Sequence, residues 1–276
     1  MLHSRSALLV MLLVTIPSLW LSLLDVRAQA PQAGPSPAAE PTGRTAGQTV
    51  ASDKPLPTLA ELLKRYGDAV GGLEKASQFT TRKMHGLYQS EDSSIFFGID
   101  ILQKAPNKTY MKIALPQDMF IHEVCDGKSA WLEDPRGGVH EYTGAALQDR
   151  IRRADFYGSA SGLLLKLTGK VTGTAAVGTH TAYVVQTAPR ENLVENSYFD
   201  ADSGLLIRED SILTTPGGAE RVETYFDDYR EVDGIRVPFR TRHVEKGSIF
   251  SIRLIQVKHN VPVDDGLFVK PASSTP

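Results

Sequence analysis

Residues 235–259 read IRVPFRTRHVEKGSIFSIRLIQVKH, and the alternation in this stretch decides the fold class. Ile235, Val237 and Phe239 alternate with Arg236, Pro238 and Arg240; Phe250, Ile252 and Leu254 alternate with Ser251 and Arg253. A period of two places the apolar side chains on one face of an extended chain and the polar ones on the other. The few residues between the runs are too short for a parallel crossover, which needs a dozen or more. The pair therefore reads as an antiparallel hairpin with one greasy face and one wet face.

The same reading extends outward. Further runs rich in β-branched and aromatic residues lie at 80–90, 94–104, 107–115, 118–125, 128–134, 166–174, 180–188, 193–200, 205–213 and 220–230. Nearly all are joined by turn chemistry, such as Glu91-Asp92-Ser93, Ala105-Pro106-Asn107, Asp126-Gly127, Asp202-Ser203-Gly204, Pro216-Gly217-Gly218 and Asp233-Gly234. Ile95, Phe97, Ile99 and Ile101 are expected on one side of a single strand. The fold class this implies is mainly β: a meander of about eleven antiparallel strands that curls into an incomplete barrel.

Two helices complete the plan. Thr58-Leu59-Ala60-Glu61 is a capping box, after which Leu59, Leu62, Leu63, Tyr66 and Val70 share one helical face and Gly71-Gly72 ends the helix. From Thr143 to Phe156, Leu147, Ile151 and Ala154 form a narrow apolar stripe, with Arg150, Arg152 and Arg153 among the polar residues expected on its back. The stretch Gly158-Ser159-Ala160-Ser161-Gly162 then reads as a flexible joint. A thin-faced helix between flexible ends, set into a meander, has the character of a lid.

Outside this region the chain changes character. Ala7 to Leu24 is apolar, broken by Pro17, preceded by His3 and Arg5 and followed by Val26-Arg27-Ala28. That is the plan of a secretory signal over residues 1–28, with an uncleaved membrane anchor as the rival reading. Residues 29–56, rich in Pro, Ala, Gly, Gln and Thr, hold too little apolar surface to offset their ordering entropy and read as a disordered tether. The expected domain is 57–272, with 273–276 as a flexible tail. An exported, periplasmic location follows from the signal.

The 276-residue chain has 30 Lys and Arg against 32 Asp and Glu, a net charge of −2, which excludes a protein whose main work is neutralising nucleic-acid phosphates. Cys125, its only cysteine, lies in the strand-like Ile121–Cys125 and is expected to be buried and structural. His85, His122, His140, His180, His243 and His259 lack the short spacings of a zinc site. Asp200, Asp202 and Gly204 superficially suggest a calcium loop but read more simply as a hairpin turn. No nucleophile elbow, S-x-x-K motif or phosphate loop is present. The expectation is no metal, no cofactor, no catalytic residue and a monomer.

The helix with Tyr66 and Gly71-Gly72, the run Thr80 to Gln89, the hairpin Tyr198-Phe199-Asp200-Ala201-Asp202-Ser203-Gly204-Leu205, Tyr225-Phe226-Asp227-Asp228-Tyr229 with Gly234-Ile235-Arg236-Val237-Pro238, and the closing Asp265-Gly266-Leu267-Phe268 together carry a likeness. They resemble the LolA-like outer-membrane lipoprotein-sorting superfamily across nearly all of 57–272. The resemblance implies an unclosed antiparallel barrel covered by helices, a hydrophobic cavity for lipid or the acyl chains of a lipoprotein, and no cofactor. It also implies an early-strand arginine that tethers the lid, for which Arg82 lies in a loosely similar region. Relatives with this fold also act as envelope-stress sensors.

The leading expectation is an envelope carrier or binder of acylated ligands. Phe97, Ile99, Ile101, Met111, Ile113, Val237, Phe239, Phe250, Ile252 and Leu254 would line the cavity. Leu147 and Ile151 would plug it when empty, and Arg150, Arg152 and Arg153 would meet lipid phosphates at its mouth or simply form a solvated back. The partners would be lipid or an acylated protein, together with an inner- or outer-membrane protein of the envelope. The alternatives are a regulatory protein whose barrel is filled by its own side chains and whose surface docks a membrane protein, and a hydrolase assembled from dispersed residues.

Overall fold

The alternating runs become thirteen strands: β1 (Thr81–Ser90), β2 (Phe97–Lys104), β3 (Lys108–Ala114), β4 (Phe120–Cys125), β5 (Ala130–Asp134), β6 (Gly138–Glu141), β7 (Lys170–Val177), β8 (His180–Arg190), β9 (Leu193–Asp200), β10 (Leu206–Thr215), β11 (Gly218–Val232), β12 (Ile235–Glu245) and β13 (Ser248–His259). The computed structural model describes residues 55–135, 138–157, 169–215 and 218–270, with only the backbone of Leu73. The expected export signal, nearly all of the tether, the joint at 158–162 and the tail lie outside the described residues.

All thirteen strands belong to one antiparallel sheet, in the order β6-β5-β4-β3-β2-β1-β13-β12-β11-β10-β9-β8-β7. Hairpins alone build each wing, because each strand pairs with its predecessor. The two wings meet where the first strand pairs with the last: β1 runs beside β13 from Arg82 opposite His259 to Ser90 opposite Phe250. The edges of the sheet are therefore β6 and β7, which are successive in the chain, and the connection between them carries α3 (Gly144–Arg153). The mainly β, incomplete-barrel architecture is as expected, with more strands than the eleven inferred. Gly138–Glu141 is a short edge strand that alternation does not reveal, and Ile95 lies in the β1–β2 turn, 48% exposed, rather than on β2.

Cross-strand register shows what each face carries. Ile99 lies opposite Ile113 and Ile101 opposite Met111, Tyr88 lies between Phe97 and Ile252, and Gly86 lies between Ile99 and Leu254. These apolar side chains cover one face, here called the inner face. Tyr88, Phe97, Ile99, Ile113, Ile121 and Phe250 form one buried cluster on it, and Phe79, Met84, Phe156, Val237, Phe239 and Val257 belong to another. On the opposite face, Trp131 and Val124 are covered by Phe268 of a 3-10 turn (Asp265–Phe268), whose Asp265 carboxylate receives Lys104 and Lys108 at 2.9 Å each.

Helix α1 (Leu59–Ala69) forms as its capping box dictates. The Glu61 amide donates to the Thr58 hydroxyl at 3.2 Å and the Thr58 amide donates to the Glu61 carboxylate at 2.8 Å. Leu62, Tyr66 and Val70 then pack on Val185 and Phe199 of the inner face, with the Tyr66 and Phe199 rings edge-on at 5.3 Å. Burying these side chains contributes on the order of 2 kcal/mol each, far more than local helix propensity. Gly71 and Gly72 stop the helix at φ of 99° and 102°, and α2 (Leu73–Ala76) follows.

These two glycines differ in surroundings. A Cβ on Gly71 would come within 2.4 Å of the Gly234 carbonyl oxygen, whereas one on Gly72 would meet nothing. Gly71→Ala should therefore lower unfolding free energy by about 2 kcal/mol or more, and Gly72→Ala by about 1 kcal/mol from backbone strain alone. Urea titration of the two variants checks this; equal losses would show that the α1–β12 approach does not constrain the fold.

Candidate functional site

The inner face changes character from one wing to the other. Following one cross-strand row from β8 to β13 gives Val185, Ser197, Glu209, Thr224, His243 and Phe250. The next gives Thr187, Glu195, Ser211, Val222, Glu245 and Ser248. The β8–β11 wing is thus polar and acidic. On the other wing, a row from β2 to β5 gives Ile101, Met111, Glu123 and Leu132, a single carboxylate among apolar neighbours.

Helix α3 lies against both wings through its charges. Arg150 Nε stands 3.2 Å from the Glu123 carboxylate of β4. Arg152 donates to both oxygens of Glu195 on β9, at 3.0 and 2.7 Å. Arg153 donates to the Ser211 hydroxyl of β10 at 3.2 Å, with Glu195 at 3.6 Å. The buried Asp149 carboxylate accepts from Arg190 of β8 at 2.7 Å. Paired guanidinium–carboxylate contacts of this kind fix geometry as well as charge.

This arrangement corrects the expectation of a basic, solvated helix back. The side chains of Arg150 and Arg152 are only 14% and 22% exposed, and all three arginines turn toward the sheet. Leu147 and Ile151 pack with Tyr142 against Cys125, Ala130 and Ala154, at the β4–β5 end. The aromatic that enters the inner face is Phe156, just beyond α3. It is buried against Phe79, Met84, Val237 and Phe239, and the Arg82 guanidinium lies 5.3 Å over its ring. Arg82 also donates from Nε to His259 Nε2 at 3.1 Å, while His259 Nδ1 lies 2.9 Å from Asp233. His259 is thereby held as a neutral imidazole, protonated on Nδ1.

Electrostatic shifts mark the sheet face beneath α3. Burial pushes the Glu123 carboxyl up against the pull of Arg150 and Arg153. It also pushes up Glu209, whose neighbour Glu195 adds to the effect. Burial lowers the Arg153 guanidinium against the pull of Glu195. His243, stacked on Phe250 at 4.6 Å and 3.0 Å from the Thr224 hydroxyl, is held down at about 4 by burial and then by Arg153. Yet Glu209 is exposed and the Arg153 side chain is 42% exposed.

All ten residues expected to line a cavity lie on the inner-face strands β2, β3, β12 and β13. Phe97, Ile99, Ile113, Val237, Phe239 and Phe250 are buried among protein neighbours; Ile101, Met111, Ile252 and Leu254 are half-buried. A separate polar cleft of about 480 Å³, bounded by Arg65, Asp68, Asp202, Glu231 and Arg236, touches none of the ten. Cys125 is buried and its thiol pushed up by that burial. The Asp200 carboxylate caps its own hairpin, accepting from the Ser203 amide at 2.6 Å. Among the described residues, no three His, Cys, Asp or Glu side chains gather as a metal site.

The residues that sequence reasoning missed are Glu123, Glu195, Glu209, Asp149 and Phe156. One signal was available for the first. In Ile121-His122-Glu123-Val124-Cys125 the glutamate occupies the apolar parity of its strand, where a carboxylate needs a partner.

No protein-family model matches the sequence, and no curated protein matches it. Solved structures do resemble the fold. A LolA superfamily protein from Nitrosomonas europaea superposes with a TM-score of 0.51 at 12% identity, covering 78% of this chain and 99% of that one. A DUF1329 family protein from Desulfovibrio piger gives a TM-score of 0.50 at 13% identity, covering 75% of this chain and 97% of its own. The chain therefore has a LolA-like fold.

His243 supplies a pH test. Its folded-state pKa lies below the unfolded value near 6.5, so the unfolded chain binds the proton first as pH falls. Its contribution to stability is complete above about pH 6.5 and is lost between there and about pH 4, by up to about 3 kcal/mol. His243→Phe should flatten that part of the profile of denaturation midpoint against pH. An unchanged slope would show that the imidazole is hydrated in the folded state.

Proposed function

We propose that the protein is a non-catalytic carrier or binder of acylated amphiphiles in the cell envelope, receiving an apolar chain on the inner face of its half-barrel. The observation that carries this reading is the division of that face. Ile101, Met111, Ile252 and Leu254 form a half-buried apolar strip, and the opposite wing is polar. A strip that is apolar but not fully packed suits a guest whose tail completes the core, and the acidic wing leaves an anionic head to lie outside it, toward solvent.

The energetics favour such a guest. Each buried CH₂ contributes about 0.8 kcal/mol, so a sixteen-carbon chain gains roughly 12 kcal/mol before the costs of association. The LolA-like fold supports the reading at the level of architecture, since one fold hosts many functions. An export signal over residues 1–28 would place the protein in the envelope, where free acyl chains need a carrier. In this reading α3 is a lid. Phe156 rather than Leu147 and Ile151 fills the face when no guest is bound, and Arg82 holds Phe156 in place.

A second reading has one specific observation in its favour. Six of the ten lining residues are already buried by the protein itself, as in an interaction protein whose barrel is its own core.

Uptake of a fluorescent fatty acid by the delipidated full-length protein separates the two readings. The carrier reading expects saturable uptake that falls at least about tenfold in Ile252→Asp and Met111→Asp, because a carboxylate beside an alkyl chain costs several kcal/mol. Both positions are half-buried, so a circular-dichroism melt can establish that the variants fold. No saturable uptake by the wild type would favour the self-filled barrel.

A further inference from the structure

We propose that the sheet face beneath α3, between the two wings, is a docking site for a basic amphipathic helix of a partner protein, and that α3 occupies it as an internal stand-in. This goes beyond the acyl-carrier reading and does not depend on it, because the docking groups belong to the floor under α3 and not to the apolar strip.

The argument begins with what holds α3. Its own sequence specifies it weakly: Thr143 makes no side-chain cap, Gly144 opens the helix at φ +54°, and the apolar stripe is limited to Leu147, Ile151 and Ala154. The specific contacts are ionic and reach both wings. Glu123 takes Arg150, Glu195 takes Arg152 and Arg153, and Arg190 takes Asp149. The sheet is therefore built to read a helix bearing cations toward both wings and small aliphatic residues between them.

The charge balance with α3 withdrawn identifies the occupant. The sheet would then present Glu123, Glu195 and Glu209, with Arg190 as a facing cation, Arg82 bonded to His259 and Gln103, and His243 held neutral. Glu195 and Glu209 repel each other. Desolvated carboxylates left without partners are strongly unfavourable, so whatever replaces α3 must bring cations of its own. An anionic lipid head or a fatty-acid carboxylate in that position would add to the repulsion. A helix with arginine or lysine at positions like those of Arg150, Arg152 and Arg153, and leucine or isoleucine at i and i+4, satisfies Glu123 and Glu195, offsets the charge of Glu209, and makes the Cys125–Ala130 contact.

Because α3 is tethered in cis, it competes at a high effective concentration, and an added helix sees an affinity reduced by the fraction of protein in which α3 is out. The test uses a fluorescent peptide spanning residues 143–157, with the full-length protein as receptor. Two variants loosen α3 without touching the carboxylates: Leu147→Ser/Ile151→Ser and, should that fold poorly, Arg152→Gln.

Each is expected to bind the peptide at least about tenfold more tightly than wild type. A peptide with its three arginines replaced by glutamine should lose at least about tenfold. Adding Glu123→Gln/Glu195→Gln to the loosened protein should abolish the gain. Peptide binding indifferent to the carboxylates would overturn the proposal, as would loosened protein that binds anionic vesicles but not the peptide.

Discussion

An antiparallel sheet built from hairpins keeps each strand beside its predecessor, and its free edges would ordinarily be its first and last strands. Here β1 and β13 pair with each other, so the break falls in the middle of the chain, between β6 and β7. That displacement sets where the edges and α3 lie. Sequence-adjacent strands become the two lips of a gap, and α3, between them in the chain, makes ion pairs with both wings. A helix so placed is held by whatever the sheet offers, which here is carboxylates on β4 and β9.

The side chains give the inner face two characters. The wing formed by β1–β5 and the adjoining β12–β13 carries the large apolar clusters. The wing formed by β8–β11 is closed apolarly where α1 covers Val185 and Phe199, and Leu193 is buried at the other end of β9. Between them, Glu195, Ser197, Glu209 and Ser211 stand at inward-facing positions that a filled barrel would give to aliphatic side chains. Glu195 is mostly buried and held by Arg152 and Arg153, whereas the exposed Glu209 contributes little to stability.

Much of this architecture was legible in the residues. Thr58 and Glu61 announce α1 because capping is local chemistry, and Gly71 ends it for an equally local reason. The alternation of Ile235, Val237 and Phe239 gives both the strand and its buried side. What was not legible is long-range. No turn links β1 to β13, so nothing nearby in sequence announces their pairing. Val139 is the lone apolar residue of β6, too little for a pattern. The orientation of α3 escaped because a thin stripe leaves a helix's rotation to its partners, and the partner of Arg152 lies 43 residues away. Glu123, out of place by strand parity, was the one written hint.

Pairing the first strand with the last also has a kinetic side. Each wing can assemble from neighbouring hairpins as the polypeptide emerges, but the seam at the sheet's centre must wait for the final strand and bring together segments about 170 residues apart. Until it forms, β1 presents an unpaired edge lined with Met84 and Tyr88, the arrangement most open to mispairing with another chain. The slow step of this fold is thus the joining of its two ends, and the nascent protein has most need of protection after most of its hairpins are already made.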